Sequence, residues 1–243
     1  MLVVCCRWRC SVAKRDLVKL NEWVYAMSDY STRRTMMVDT QVRPSDVTKF
    51  PIIEAMLDVP REAYVPENKR EEAYVSENVA LGSARVMLEP RTFAKLLDGL
   101  DISPDETVLD IGCGLGYSTA IIARLAEAVV AVEDDAEMAA EAQQLLSSND
   151  VDNAAVIESK LSEGAAKHGP YDVIMIEGGV EIVPAAILAQ LKDGGRIGCI
   201  FMEDALGVAR IGYKIDGEVT WRFAFNASAP VLPGFKAPKG FVL

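Results

Sequence analysis

The sequence predicts an α/β fold: a doubly wound, mostly parallel sheet with an antiparallel hairpin at one edge and a helical segment before it. Three observations predict it. From residue 104 onward, short Val/Ile-rich runs alternate with stretches at helical spacing, the pattern of a parallel sheet covered on both faces. The first run leads through a glycine-rich turn straight into a helix. Near the end, Asp216-Gly217 separates two runs rich in aromatic and β-branched residues, a strong hairpin signal.

In chain order, Phe50-Pro-Ile-Ile-Glu-Ala-Met-Leu57 comes first, with apolar residues at helical spacing and Pro51 suited to a first turn. Val59-Pro60 and Val65-Pro66 then interrupt the chain, because the residue before proline is driven out of helical geometry. Thr92 to Leu100 is an amphipathic helix (Phe93, Leu96, Leu97, Leu100) that stops near Gly99. Strands are expected at Thr107–Ile111, Ala128–Val132, Ala154–Ile157, Tyr171–Ile176 and Arg196–Phe201. Helices are expected from Tyr117 to Ala126 and from Ala136 to Ser147. Another opens at Pro184 and runs to Leu191, with Gly194-Gly195 ending it. The terminal pair is Ala209–Lys214 and Glu218–Phe225, and Pro230 to Pro238 is a proline-rich tail.

Of 243 residues, 36 are acidic and 25 basic, and the net charge of -11 opposes binding to the nucleic-acid backbone. No run approaches the ~18 apolar residues needed to cross a bilayer, so no membrane association is expected. The one histidine, His168, excludes multi-histidine metal sites. Cys5, Cys6 and Cys10 lack paired Cys-x-x-Cys spacing, and no metal is expected there. Residues 1–36 are basic and cysteine-rich against an acidic body, and the expectation is a disordered extension or an upstream start codon. Residues 37–103 then form a helical, substrate-side segment, and residues 104–243 form the ligand-binding domain. With no disulfide framework in the body, the expected setting is the cytoplasm.

Asp110-Ile-Gly-Cys-Gly-Leu-Gly116 carries the chemistry. Gly112, Gly114 and Gly116 let the backbone turn tightly and approach a ligand. A strand-to-helix turn can hold glycines without any ligand, but two acids point to one. Asp110 ends the first strand, and Glu133 comes directly after the second, where a carboxylate can accept both ribose hydroxyls. A dinucleotide loop would place its third small residue at position 117, which is Tyr117. Asp-x-Gly-x-Gly-x-Gly is instead the S-adenosylmethionine pattern. The expected cofactor-binding residues are Asp110, Gly112, Cys113, Gly114, Gly116, Glu133 and Asp134, with Glu158, Ser159 and Glu177 at the ends of the third and fourth strands. Cys113 and Cys199 are also read as small buried residues, and His168 as part of a surface loop.

From about Arg34 to Phe225 the chain resembles the protein-L-isoaspartate (D-aspartate) O-methyltransferase family. The resemblance lies in Met37-Val-Asp-Thr-Gln41, Val59-Pro-Arg-Glu-Ala-Tyr-Val-Pro66, Val108-Leu-Asp-Ile-Gly-Cys-Gly-Leu-Gly-Tyr117, Leu191-Lys-Asp-Gly-Gly-Arg196 and Trp221-Arg-Phe223. It implies a class I, Rossmann-like methyltransferase fold and S-adenosylmethionine as cofactor. It further implies methyl transfer to the misplaced α-carboxylate of isoaspartyl residues in peptides or proteins, the first step of their repair. One motif departs from the family, whose Thr-Ile-Ser-Gln-Pro includes a serine that meets the substrate carboxylate. Aligned on Pro90, this chain reads Val86-Met-Leu-Glu-Pro90, so Leu88 takes the serine position and Glu89 adds a negative charge. Neither can donate a hydrogen bond to a carboxylate. Arg85 or Arg91 could compensate, or be surface charges, and no catalytic residue is assigned. Transfer to another acceptor, or cofactor binding without turnover, are the alternatives.

Overall fold

A computed structural model describes residues 29–83 and 85–238. Its centre is a seven-stranded sheet ordered β5-β4-β3-β6-β7-β8-β9. The strands are β3 (Thr107–Ile111), β4 (Ala128–Glu133), β5 (Ala154–Glu158), β6 (Tyr171–Val180), β7 (Leu191–Glu203), β8 (Leu206–Ile215) and β9 (Glu218–Asn226). The first five are parallel, β8 adds antiparallel to β7, and β9 adds antiparallel to β8. Helices α1 (29–37), α2 (Phe50–Asp58), α3 (Pro90–Leu100), α4 (Tyr117–Ala123), α5 (Ala136–Ser148) and α6 (Ala185–Leu188) flank it. This is the doubly wound sheet with an antiparallel edge that the alternation predicts, and Asp216 and Gly217 both take the positive φ of its hairpin turn.

Chain order reverses at β3. The strands β4 and β5 lie on one side of it and β6 and β7 on the other. At such a switch point the loops leaving neighbouring strands diverge and open a crevice at the carboxyl ends. Apolar residues on one face of the sheet pack against α2, α3 and α4. On the other face Leu109, Ile111, Ile174 and Ile176 meet Ile187 of α6.

Several boundaries differ from the sequence reading, each for a physical reason. Residues read as loop form a small antiparallel hairpin, β1 (Val79–Gly82) with β2 (Arg85–Met87), too short to show alternation. The strand expected to end at Ile176 runs to Val180, because the tail pairs with it: Gly179 N donates to Pro230 O and Leu232 N to Gly179 O, at 2.8 and 2.9 Å. That tail is not a loose end, since Leu232 and Phe235 are fully buried in the second core. A Cβ on Gly178 would fall 2.6 Å from the Leu232 side chain, so the close approach requires glycine. The helix after Pro184 is one turn long. Gly194-Gly195 do not end it but lie within β7, which starts at Leu191.

The expected boundary at residue 36 falls at the end of α1, which is bound to the body; residues 1–28 lie outside the described residues. Arg34 donates to the carbonyls of Leu57 and Asp58, to the Tyr74 hydroxyl and to the Glu62 carboxylate at 3.1–3.4 Å. Hydrogen bonds to charged groups contribute roughly 1.5–3 kcal/mol each. Arg34→Ala is therefore expected to lower the unfolding free energy by about that amount in urea denaturation. A chain starting at Met37 is expected to lose at least as much relative to one starting at residue 29.

Candidate active site

The crevice at the switch point is built from β3, its glycine loop, the end of β4, β6 and the β1–β2 hairpin. The loop after Ile111 turns at once: Gly112 N donates to Val132 O at 2.8 Å and Gly116 N to Cys113 O at 2.9 Å. Gly112, Gly114 and Gly116 all have positive φ, and a Cβ on Gly114 would stand 2.6 Å from Leu81 of the hairpin. Positive φ favours glycine at all three positions, and at Gly114 a side chain would also displace the Leu81 side chain.

Three buried acids, Asp110, Glu133 and Glu177, stand here on the neighbouring strands β3, β4 and β6. The Asp110 Oδ2 accepts from the hydroxyls of Ser118 and Thr119, both at 2.7 Å, which secures the start of α4. Its Oδ1 has no partner. Burial pushes the Asp110 carboxyl up to about 6, against the two hydroxyls.

Glu133 is completely buried. Its Oε1 accepts from the amides of Asp134 and Asp135 at 2.9 and 3.3 Å, and its Oε2 from Gly114 N at 3.0 Å. The Arg85 Nε spans both oxygens at 3.1 and 3.2 Å. Arg85 also binds Asp134, and Ser83 beside it donates to Asp135 at 2.8 Å. Burial pushes the Glu133 carboxyl up, and Arg85 with the Asp135 and Gly114 amides opposes this. The carboxylate expected at a ligand's ribose hydroxyls therefore holds the hairpin's arginine.

Glu177 lies inside β6, not after it, and is 5% exposed. Its Oε1 has no hydrogen-bond partner. Burial, and then the nearby charge of Asp110, push its carboxyl well up, and Arg61 offsets this only in part. Glu177 lines a narrow cleft of about 10 Å³, the room of a single water, with Tyr64, Leu81, Val86, Met87, Leu88, Phe93, Gly112, Cys113, Leu115, Tyr117 and Ser118.

The structure thus brings Gly112, Cys113 and Glu177 into one cleft with Leu88, which is buried. Gly114, Gly116, Asp110 and Glu133 frame the loop behind them, and Asp134 engages Arg85. Glu158 is exposed at the end of β5, and Ser159 reaches the group only through its amide, donated to Glu133 O at 3.1 Å. Burial pushes the Cys113 thiol well up, which leaves it an inert wall residue.

Glu89 does not face the cleft freely, since it accepts from the Thr92 hydroxyl at 2.6 Å. Arg85 is buried and paired with Glu133 and Asp134. The sequence reading missed Arg61, Tyr64 and Tyr117. Arg61 is fully buried, donates to the carbonyls of Ala73 and Leu88 at 2.6 Å, and lies 4.7 Å over the Tyr117 ring. Its signal lies in the Val-Pro-Arg-Glu-Ala-Tyr-Val-Pro stretch, which by itself gives only a resemblance.

Comparison with known proteins places the chain. The protein-L-isoaspartate(D-aspartate) O-methyltransferase family model matches residues 33–205. A protein-L-isoaspartate O-methyltransferase of Syntrophus aciditrophicus is 32% identical over 194 residues, 78% of this chain and 89% of that one. A protein-L-isoaspartate O-methyltransferase 2 of Marinobacter nauticus is 36% identical over 169 residues, 70% of this chain and 77% of that one. Among solved structures, a protein-L-isoaspartate O-methyltransferase has a TM-score of 0.71 at 21% identity, over 84% of this chain and 65% of its own. A putative one from Plasmodium falciparum, in complex with S-adenosyl-L-homocysteine, has a TM-score of 0.70 at 17% identity, over 84% of this chain and 97% of its own. The likeness to these structures concerns the fold.

The buried acids lead to two expected outcomes. Removing one partner of a buried ion pair typically costs roughly 3–5 kcal/mol. Glu133→Ala, which leaves Arg85 with Asp134 alone and frees the Gly114 amide, is expected to lose at most about that much stability in chemical denaturation. Asp110 holds its proton in the fold at a pH where the unfolded chain, with an aspartate pKa of ~3.9, has released it. Its contribution to stability therefore falls as pH rises from about 4 through about 6. Asp110→Asn is expected to flatten that part of the pH–stability curve, measured by thermal melting.

Proposed function

The chain belongs to the protein-L-isoaspartate(D-aspartate) O-methyltransferase family, and from that premise we propose that it transfers a methyl group from S-adenosylmethionine to the α-carboxylate of isoaspartyl residues in damaged proteins. The observation that supports this most is the joining, in one crevice, of the glycine loop and a cleft with an unpartnered acid. The loop and its acids fit this cofactor provided that Arg85 yields one side of Glu133 to the ribose. Gly112, Gly114 and Gly116 admit it to close backbone contact, and Asp134, Glu158 and Ser159 border its nucleoside side. Asp110, through Ser118 and Thr119, holds the first turn of α4 in place. The bound cofactor supplies an electrophilic methyl carbon on a sulfonium.

The residues of the chain then have little proton chemistry to do. A carboxylate with a pKa of ~3.9 is already ionised at neutral pH, so the reaction needs no general base. What remains is to hold the acceptor oxygen in line with the methyl carbon and to exclude water. Leu81, Val86, Met87, Leu88, Phe93 and Leu115 supply the apolar walls for this. A cytoplasmic setting agrees with the free, buried thiols of Cys113 and Cys199. Among the described residues no helix is long and apolar enough to cross a membrane.

Leu88, where the family has serine, favours one second reading, methyl transfer to a different acceptor. Paired peptides that differ only in Asp or isoAsp separate the two. Transfer of label from S-adenosylmethionine to the isoAsp peptide alone is the expected result. Binding of S-adenosylhomocysteine by calorimetry without label on either peptide would favour the second reading.

A further inference from the structure

A carboxylate entering this cleft meets mostly apolar side chains: Leu81, Val86, Met87, Leu88, Phe93 and Leu115. Burying it there demands a hydrogen-bond donor. Ser118 faces the same cleft, but its hydroxyl is committed to Asp110. Leu88 has no donor to offer, while Tyr64 and Tyr117 bring unpartnered hydroxyls to the same cleft that can add to, but not replace, a titrating donor. Glu177 is 5% exposed, lines the cleft, and leaves its Oε1 without a partner. We propose that Glu177, in its neutral form, donates its O–H to the acceptor carboxylate and so binds the methyl acceptor in the place where Leu88 cannot. This inference rests on the isoaspartyl reading of the chain's function and names the residue that would carry its acceptor side.

The groups around Glu177 favour the neutral form. Asp110 on β3 is the nearby acid, and its charge raises the Glu177 carboxyl. Arg61, from the turn Arg61–Tyr64, is the facing cation and lowers it. Cys113 from the loop and Tyr117 from α4, with Tyr64, complete the titratable surroundings, and burial pushes all three up so that they stay neutral. Burial dominates for Glu177 itself. An incoming carboxylate adds a further negative charge and raises Glu177 more, so the pair shares one proton across a charge-assisted hydrogen bond. Arg61 makes no ion pair among the described residues, and an acceptor anion would partly balance its buried charge. No proton leaves during methyl transfer. The acceptor's negative charge disappears as the ester forms, the hydrogen bond weakens, and product release is eased.

The test is binding of an isoAsp peptide to the chain saturated with S-adenosylhomocysteine, measured by calorimetry across neutral to alkaline pH, together with the KM for methylation. Glu177→Ala is expected to weaken peptide binding at neutral pH by at least about tenfold, the range of one hydrogen bond to a charged group. Its affinity for S-adenosylhomocysteine should fall clearly less than its affinity for the peptide. Glu177→Gln, whose amide donates at any pH, is expected to bind the peptide at least about tenfold better than Glu177→Ala. It should also lose the alkaline fall in affinity that the wild type has as Glu177 gives up its proton. Tyr64→Phe, which removes another unpartnered hydroxyl of the cleft, should leave that alkaline fall in place.

The inference is overturned if Glu177→Ala binds the peptide like wild type, or if it weakens S-adenosylhomocysteine as much as the peptide. The same holds if Glu177→Gln keeps the wild-type pH dependence. If the wild type itself neither binds nor methylates the isoAsp peptide, the isoaspartyl reading fails, and the role of Glu177 with it.

Discussion

The site depends on one buried ion pair. Arg85 on the β1–β2 hairpin meets Glu133 at the end of β4, and the same carboxylate holds the amide of Gly114 in the glycine loop. One side chain therefore ties together three segments: hairpin, loop and second parallel strand. The pair is shielded from water, so removing one partner costs more than it does for the exposed pairs elsewhere, such as Lys160–Glu163. It also sets a condition on the proposed function, because a nucleoside that takes Glu133 must displace a guanidinium. The β1–β2 hairpin is suited to that movement. It is a separate two-stranded sheet, four residues against three, with an irregular register between Ala80 and Gly82.

Around that pair the crevice gathers acids, and like charges so close cannot all stay ionised without help. Each is accommodated differently. Glu133 has a cation and three amides, Asp110 has two hydroxyls, and the Glu177 Oε1 has no partner. In the proposed reading this graded treatment leaves the Glu177 carboxyl as the neutral donor for an anionic acceptor. A chain with a single histidine, exposed on a turn at His168, has no imidazole to offer there.

The sheet was legible in the sequence because its strands are continuous Val/Ile runs between helices of clear period, and because Asp216-Gly217 marks its turn. The glycine loop was legible because positive φ demands glycine at Gly112, Gly114 and Gly116. What stayed hidden depends on contacts distant in sequence. Hairpin β1–β2 spans too few residues to reveal a period. The extension of β6 through Glu177 comes from a tail some fifty residues later, where Leu232 and Phe235 enter the core past prolines that suggest a loose end. Spacing alone placed Glu133 correctly beside the loop but could not reveal that Arg85, 48 positions earlier, already occupies it.

The most direct measurement is a crystal structure of the chain with S-adenosylhomocysteine bound. The ribose hydroxyls are expected on Glu133, with the Arg85 guanidinium displaced from that carboxylate and the β1–β2 hairpin shifted with it. A nucleoside bound elsewhere, with Arg85 still spanning both oxygens of Glu133, would contradict this.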